Sequence, residues 1–370
     1  MLFLPAALDS KPKTGYDTDT DTCIIPQGGI IHMKALLIGG TGVISTHITK
    51  LLLQTGWDVT LLNRGNRKNE FPEAHQIIAD MNNEAEVKEK LEGLHFDVVC
   101  QFIAFLPSQV ERDIRLFTGK TDQYIFISSA SAYQKPPAHP VITESTPLHN
   151  PYWQYSRDKA ACEDVLMQAY HKDLFPVTIV RPSHTFSERS ITIPLHGQFG
   201  AYQVLKRMQE GKKVLVPNGG ATLWTVTASR DFAKGFVGLM GNVHAIGENV
   251  HITSDESLTW NQIMETIARI MKVEYKPCYV PASILAKVQK YDFNGALLGD
   301  KANSVIFDNS KLKRLVPTFC ASTRFDQAAQ DSVQNLMNDP ALCKPDPEFD
   351  QFCDQVVAIM EEAEAKIASL

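Results

Sequence analysis

The chain has no apolar run near the roughly 20 residues that a membrane-spanning helix requires, which excludes a helical bilayer anchor. It has no C-x-x-C pair. Its seven cysteines (Cys23, Cys100, Cys162, Cys278, Cys320, Cys343 and Cys353) are scattered and odd in number, so neither a disulfide framework nor a zinc site is expected. Basic residues do not cluster: 36 Lys and Arg against 42 Asp and Glu leave a formal net charge of −6, with no general attraction to nucleic acid or anionic membrane. Internal repeats are also absent. A small-molecule partner in a reducing cytoplasm is the expectation, with no metal.

What is present is a chain of 370 residues, 44% hydrophobic and 21% charged, long enough for a sizeable core and for two domains or one large one. Residues 1–32 look foreign to the rest of the chain, with a mildly apolar start and an alternation of Thr and Asp from Thr18 to Thr22. This segment is expected to be a disordered extension, and Met33 could itself be the natural start. It lacks the basic n-region and longer apolar stretch of a signal peptide.

From Met33 to Gly65 the sequence reads as a nucleotide-binding βαβ unit. The apolar run Ala35 to Ile38 leads at once to Gly39, Gly40 and Gly42; Ile44, Ile48, Leu51 and Leu52 then recur at helical spacing, and Gly56 closes the helix. A second apolar run, Val59 to Leu62, ends at Asn63 and Arg64. A strand, a tight glycine turn and a helix N-terminus set backbone N–H groups and the positive end of a dipole beside a diphosphate. Gly39, Gly40, Thr41, Gly42, Val43 and Ile44 are the expected cradle. Ser45 takes the third small position, where a glycine would pack closest to the strand.

Beyond Arg64 strands alternate with helices: strands are expected over Gln76–Ala79, Asp97–Gln101, Gln123–Ser128 and Val177–Val180, and helices over Glu84–Leu91, Gln109–Phe117 and Tyr155–Tyr170. This alternation predicts a Rossmann-type α/β fold, a doubly wound parallel sheet, with a dinucleotide-binding domain over 33–185 and a smaller C-terminal α/β substrate domain over 186–370. Helices are also expected over Gln203–Glu210 and Ser257–Ile270, and a final one carrying the stripe Phe352, Val356, Met360, Ala363 and Ile367. Ligands of such sheets bind at the carboxyl ends of the strands, where Gly39, Asn63, Asp80, Ala104 and Ser129 fall.

Tyr155 and Lys159 lie four apart on a predicted helix and share one face. An ammonium near a phenol favours the phenolate, and a serine at the neighbouring strand end could hold a substrate oxygen. Tyr202 and Lys206 repeat the spacing, but only the Tyr155 pair lies between a serine-rich strand end and the next strand. His184, after the Val177–Val180 strand, is open to two readings, a substrate-side polar group or a satisfied structural histidine. Trp224 reads as a core residue.

The ordered set GGTGVIS, SSASAY, YSRDK and VRP resembles the extended short-chain dehydrogenase/reductases, the NAD-dependent epimerase/dehydratase group, over roughly Met33 to Ile270. The resemblance implies Ser129 as the substrate-orienting hydroxyl, Tyr155 as general acid/base, and Lys159 as the group that tunes Tyr155 and holds the nicotinamide ribose. Members of this superfamily often dimerise through a helix bundle, which leaves a homodimer open for this chain. The sequence departs from the common pattern twice. Asn63 stands where NAD-binding members usually carry Asp, and Arg64 beside it could pair with a 2′-phosphate, so NADP is expected over NAD. SSASAY has no acidic residue after Ser129, which disfavours dehydration and leaves reduction, oxidation or epimerisation of a sugar or nucleotide-sugar type substrate. The GGTG turn and TLLNRG strand end also look like those of chloroplast stem-loop-binding proteins, an atypical branch of the superfamily. An RNA-binding protein or a dinucleotide-sensing regulator is therefore the alternative; the acidic balance opposes the first, and retention of Tyr155 and Lys159 the second.

Overall fold

Along the first strand, β1 (Lys34–Ile38), successive side chains bury on opposite sides: Ala35 and Leu37 join one apolar cluster, Leu36 and Ile38 another. A strand apolar on both faces must be covered by helices on both faces. The computed structural model, which describes residues 33–66 and 69–370, shows that arrangement. After β1 come α1 (Ser45–Gln54), β2 (Asp58–Asn63), β3 (His75–Ile78), α2 (Glu84–Lys90), β4 (Phe96–Gln101), α3 (Pro107–Phe117), β5 (Thr121–Ile127) and α4 (Gln154–Asp173). The strands Val177–Pro182 and Asn249–Ile252 complete a seven-stranded sheet. From one edge the order is Asn249–Ile252, Val177–Pro182, β5, β4, β1, β2, β3, and every pairing is parallel. Strand order reverses between β1 and β4, so their carboxyl ends frame the crevice where such sheets take ligands. Ile48 and Leu52 of α1 and Phe232 and Phe236 of the helix Ser229–Leu239 cover one face. Val87 of α2, Val110 of α3 and Leu166 of α4 cover the other.

A third apolar cluster lies in the C-terminal half, where Trp224, Trp260, Phe186 and Leu205 are fully buried. The expectation for residues 1–32 lies outside the described residues. Several boundaries move for local reasons. The third strand begins one residue earlier than expected, because His75 pairs with Thr60. The helix expected from Ser257 starts at Trp260, since Leu258–Thr259 pairs with Leu223–Trp224 and Thr259 caps the helix together with Gln262. On the final helix, Pro347–Ala368, Phe352, Val356 and Met360 pack on the C-terminal core, whereas Ile367 is exposed. Among the described residues, no helix is long and apolar enough to cross a membrane.

Candidate active site

The turn after β1 is held by Ser45, which takes the third small position of the motif. Its hydroxyl oxygen accepts the Gly42 N–H at 2.8 Å and donates to the Gly39 carbonyl at 2.8 Å. The three glycines answer to different constraints. Gly39 has φ +88°, and a Cβ there would stand 2.5 Å from Ile103 Cγ2. At Gly40 a Cβ would meet Leu61 Cδ2 at 2.6 Å. Gly42 is exposed, and its Cβ would make only an ordinary contact, 3.4 Å, with Ser45 Oγ. No protein atom nearer than 3.4 Å accounts for the missing side chain at Gly42.

Two cavities open from this turn and share Gly39, Gly42 and Ile103. The first, about 610 Å³, is walled by Thr41, Asn63, Arg64, Asp80 and Phe105. Asn63 is committed locally: its Oδ1 accepts the Gly65 N–H at 2.8 Å and its Nδ2 donates to Gln76 Oε1 at 3.1 Å. Arg64 is exposed on the wall, and Asp80 Oδ1 accepts the Asn82 N–H at 2.9 Å. Val43, Ile103 and Phe105 expose apolar side chains along the rims, the lining expected of a ligand site. Gly40 and Ala104 lie behind the walls. Gly40 offers its carbonyl to Thr49 and Ala104 offers its own to Lys159.

The second cavity, about 540 Å³, receives Val43 and Ile44 from the turn, Ser129 from the end of β5, Tyr155 from the first turn of α4, and His184. Ser129 Oγ shares a hydrogen bond of 2.8 Å with Ser131 Oγ, which in turn accepts one of 2.8 Å from the buried Ser156. This chain of hydroxyls fixes the Ser129 rotamer. Tyr155 packs against Trp153 at 5.1 Å and Phe105 at 6.3 Å between ring centroids. Burial pushes its phenol above the ordinary range; the hydrogen bond with Ser129 opposes this, and the carboxylate of Asp300 adds to it. Lys159, 1% exposed, donates to the Ala104 and Ile127 carbonyls at 2.7 Å each, and its Nζ is 6.0 Å from the Tyr155 ring centroid. Burial brings its ammonium down to about 8. Lys159 is not among the groups that set the Tyr155 phenol in this arrangement; burial, Ser129 and Asp300 are.

His184 is a satisfied histidine, with Nε2 2.9 Å from Asp300 Oδ2, and it also lines the cavity. Asp300 lies near the end of a π-helix, Asn294–Lys301, which packs on Trp153 through Gly295 and Gly299. Asn150 ties the two sides of the site, donating to the carbonyls of Ser131 and Gly299 at 2.7 Å each. Trp224 is a core residue that also lines the cavity, with the buried Lys135 Nζ 4.9 Å from its ring centroid. Asp300, Trp153, Asn150 and Lys135 carry no sequence signal of their own, since each acquires its place through a non-local contact.

The model of the NAD dependent epimerase/dehydratase family matches residues 35–253, more than half of the chain. The chain is 26% identical over 251 residues to the chloroplast stem-loop binding protein of 41 kDa b from Arabidopsis thaliana, covering 64% of this chain and 62% of that protein. It is 23% identical to the 2'-dehydrokanamycin reductase of Streptomyces kanamyceticus, over 78% of this chain and 80% of that one. The match to the UDP-glucose 4-epimerase of Lactobacillus helveticus, at 31% identity, spans about half of that protein, 51%. Among solved structures, the UDP-glucose 4-epimerase of Bifidobacterium longum superposes with a TM-score of 0.67 at 18% identity, over 84% of this chain and all of the other. That likeness concerns the fold. With the family model spanning the glycine turn, the sheet and Ser129, Tyr155 and His184, the chain belongs to the NAD dependent epimerase/dehydratase family.

Proposed function

We propose that the protein is an NAD(P)-dependent oxidoreductase or epimerase acting on a sugar or nucleotide-sugar type substrate. The observation that carries this is the meeting of Ser129 and Tyr155 with the Gly39–Ser45 turn in one cavity at the carboxyl ends of the strands. The space at Gly42 fits a diphosphate, and the two joined cavities fit a dinucleotide lying across the sheet switch point. When bound, the nicotinamide supplies the hydride acceptor or donor. Ser129 then holds the substrate oxygen and Tyr155 exchanges its proton. Because burial keeps the phenol protonated at neutral pH, Tyr155 is set to donate, which suits reduction of a carbonyl. Lys159, buried four residues after Tyr155, is assigned to the nicotinamide ribose. NADP is favoured over NAD, because Arg64 lies on the wall and Asn63 brings no carboxylate to repel a 2′-phosphate. The segment after Ser129 reads Ala130-Ser131, with no acid to expel water, so dehydration is not part of the proposal.

The test is nicotinamide absorbance against a screen of sugars and nucleotide sugars with both cofactors. Tyr155→Phe keeps the packing against Trp153 and should lower turnover by about two to four orders of magnitude while cofactor binding survives. Near wild-type turnover in that variant would sink the assignment. The relationship to a stem-loop binding protein supports RNA binding as the second reading. The net charge of −6 opposes it, and a filter-binding titration against salt decides.

A further inference from the structure

Two buried polar atoms beside the second cavity have no hydrogen-bond partner, Asp300 Oδ1 and Trp224 Nε1. Both residues line that cavity, 2% and 1% exposed, and both touch His184: the carboxylate through its other oxygen at 2.9 Å, the indole with ring centroids 5.4 Å apart. An unpaired acceptor and an unpaired donor in a dry site each carry a desolvation cost that a ligand could remove. The chemistry of the pair selects the ligand group. A carbonyl would satisfy the indole N–H and leave the carboxylate oxygen bare. An ammonium would do the reverse, and it gains little beside an Asp300 that already interacts with the buried ammonium groups of Lys135 and Lys301. A second carboxylate would be repelled. A neutral hydroxyl donates to one and accepts from the other.

We propose that Asp300 and Trp224, held through His184, form a clamp for a substrate hydroxyl next to the carbon whose oxygen Tyr155 and Ser129 hold, so that the enzyme selects α-hydroxy carbonyls in the reducing direction and the corresponding vicinal diols in the oxidising one. This rests on the reading that the cavity receives the substrate. Asp300 and Tyr155 line the same cavity of about 540 Å³, which is large enough for one polyol ring to lie between them. The clamp sits on a π-helix, whose irregular turn sets the carboxylate of Asp300 into the wall while Lys301, the next residue, accepts the Trp260 indole N–H at its carbonyl, 3.0 Å. A site built to bond a hydroxyl rejects the analogue lacking it far more strongly than an apolar pocket rejects a missing methylene.

The experiment uses the full-length ¹⁵N-labelled protein with NADP. Its four tryptophans, Trp57, Trp153, Trp224 and Trp260, give four indole N–H resonances, and Trp224→Phe assigns one of them. Methyl β-D-glucopyranoside should shift the Trp224 resonance saturably, whereas 2-methoxytetrahydropyran, the same ring without hydroxyls, should not. Asp300→Asn should raise the midpoint concentration about tenfold or more. Should that variant fold poorly, Trp224→Phe, read by ligand-observed saturation transfer, should show the same weakening. Equal shifts with both compounds, or no shift up to the solubility of the glucoside, overturns the clamp. The two failures are separate: turnover of a sugar without a Trp224 shift removes the clamp and keeps hydride transfer. A saturable shift without turnover of any sugar does the opposite.

Discussion

Replacing Lys159 with Met should cost activity while leaving stability nearly unchanged at neutral pH. Holding an ammonium whose pKa falls from its ordinary 10.5 to about 8 costs the folded state about 3 kcal/mol. Met fills a similar volume without that charge. Against this stand the bonds to the Ala104 and Ile127 carbonyls, each worth about 0.5–1.5 kcal/mol. The two effects cancel to within about 2 kcal/mol, so the melting temperature at pH 7 should stay within about 5 °C of wild type. The sign of the pH dependence is set by the direction of the shift. The folded pKa lies below the unfolded one, so the destabilisation is fully present below about pH 8 and is lost as pH rises from there to 10.5, where the unfolded chain holds the extra proton. Between pH 7 and pH 9.5 the stability difference should therefore move toward the wild type by about 2 kcal/mol. Thermal melts of both proteins at the two pH values measure it. A variant that loses more than about 15 °C at pH 7, or a difference that does not change with pH, refutes this balance of burial against hydrogen bonding.

Gly42→Asp should abolish dinucleotide binding by calorimetry with little change in melting temperature, because a Cβ there meets only Ser45 Oγ at 3.4 Å; undiminished affinity would remove the phosphate cradle. Arg64→Ala should weaken NADP more than NAD by about 1.5–3 kcal/mol, the worth of a charged hydrogen bond, and equal losses in titrations of the two cofactors would refute the 2′-phosphate assignment. Tyr202→Phe, at the second Tyr/Lys pair, should leave turnover within about twofold, since Tyr202 lies outside both cavity walls; a loss exceeding that of Tyr155→Phe would reverse the assignment.

The parts of the site legible in the sequence are those made by local order. A strand, a glycine turn and a helix within about thirty residues fix one another, so Gly39, Gly42, Val43 and Ile44 fall where spacing puts them. Tyr155 and Ser129 come with them because each sits at the end of a periodic element. Asp300 is illegible for the converse reason: it meets His184 across 116 residues, from a π-helix whose irregular turn leaves no clean apolar period. Ser45 reads in the sequence only as a small residue in the third position, and the two bonds by which its hydroxyl ties the turn together show only in the fold. For Lys159, i,i+4 spacing places it beside Tyr155 but cannot show the two backbone carbonyls that hold its ammonium. His184 stays between two roles in the sequence because its partner lies too far along the chain to see.

The three glycines of the first turn should drift differently among related chains. A residue at Gly40 becomes possible wherever the side chain facing it from β2, Leu61, is shortened, so those two positions should change together. Gly39 has no such escape through Ile103 alone, because its backbone angle excludes most other residues whatever the space. Gly42 is limited by nothing in the polypeptide. A descendant that gave up its dinucleotide could place almost any side chain there, and the loss would be recorded at that position while the fold around it stayed intact.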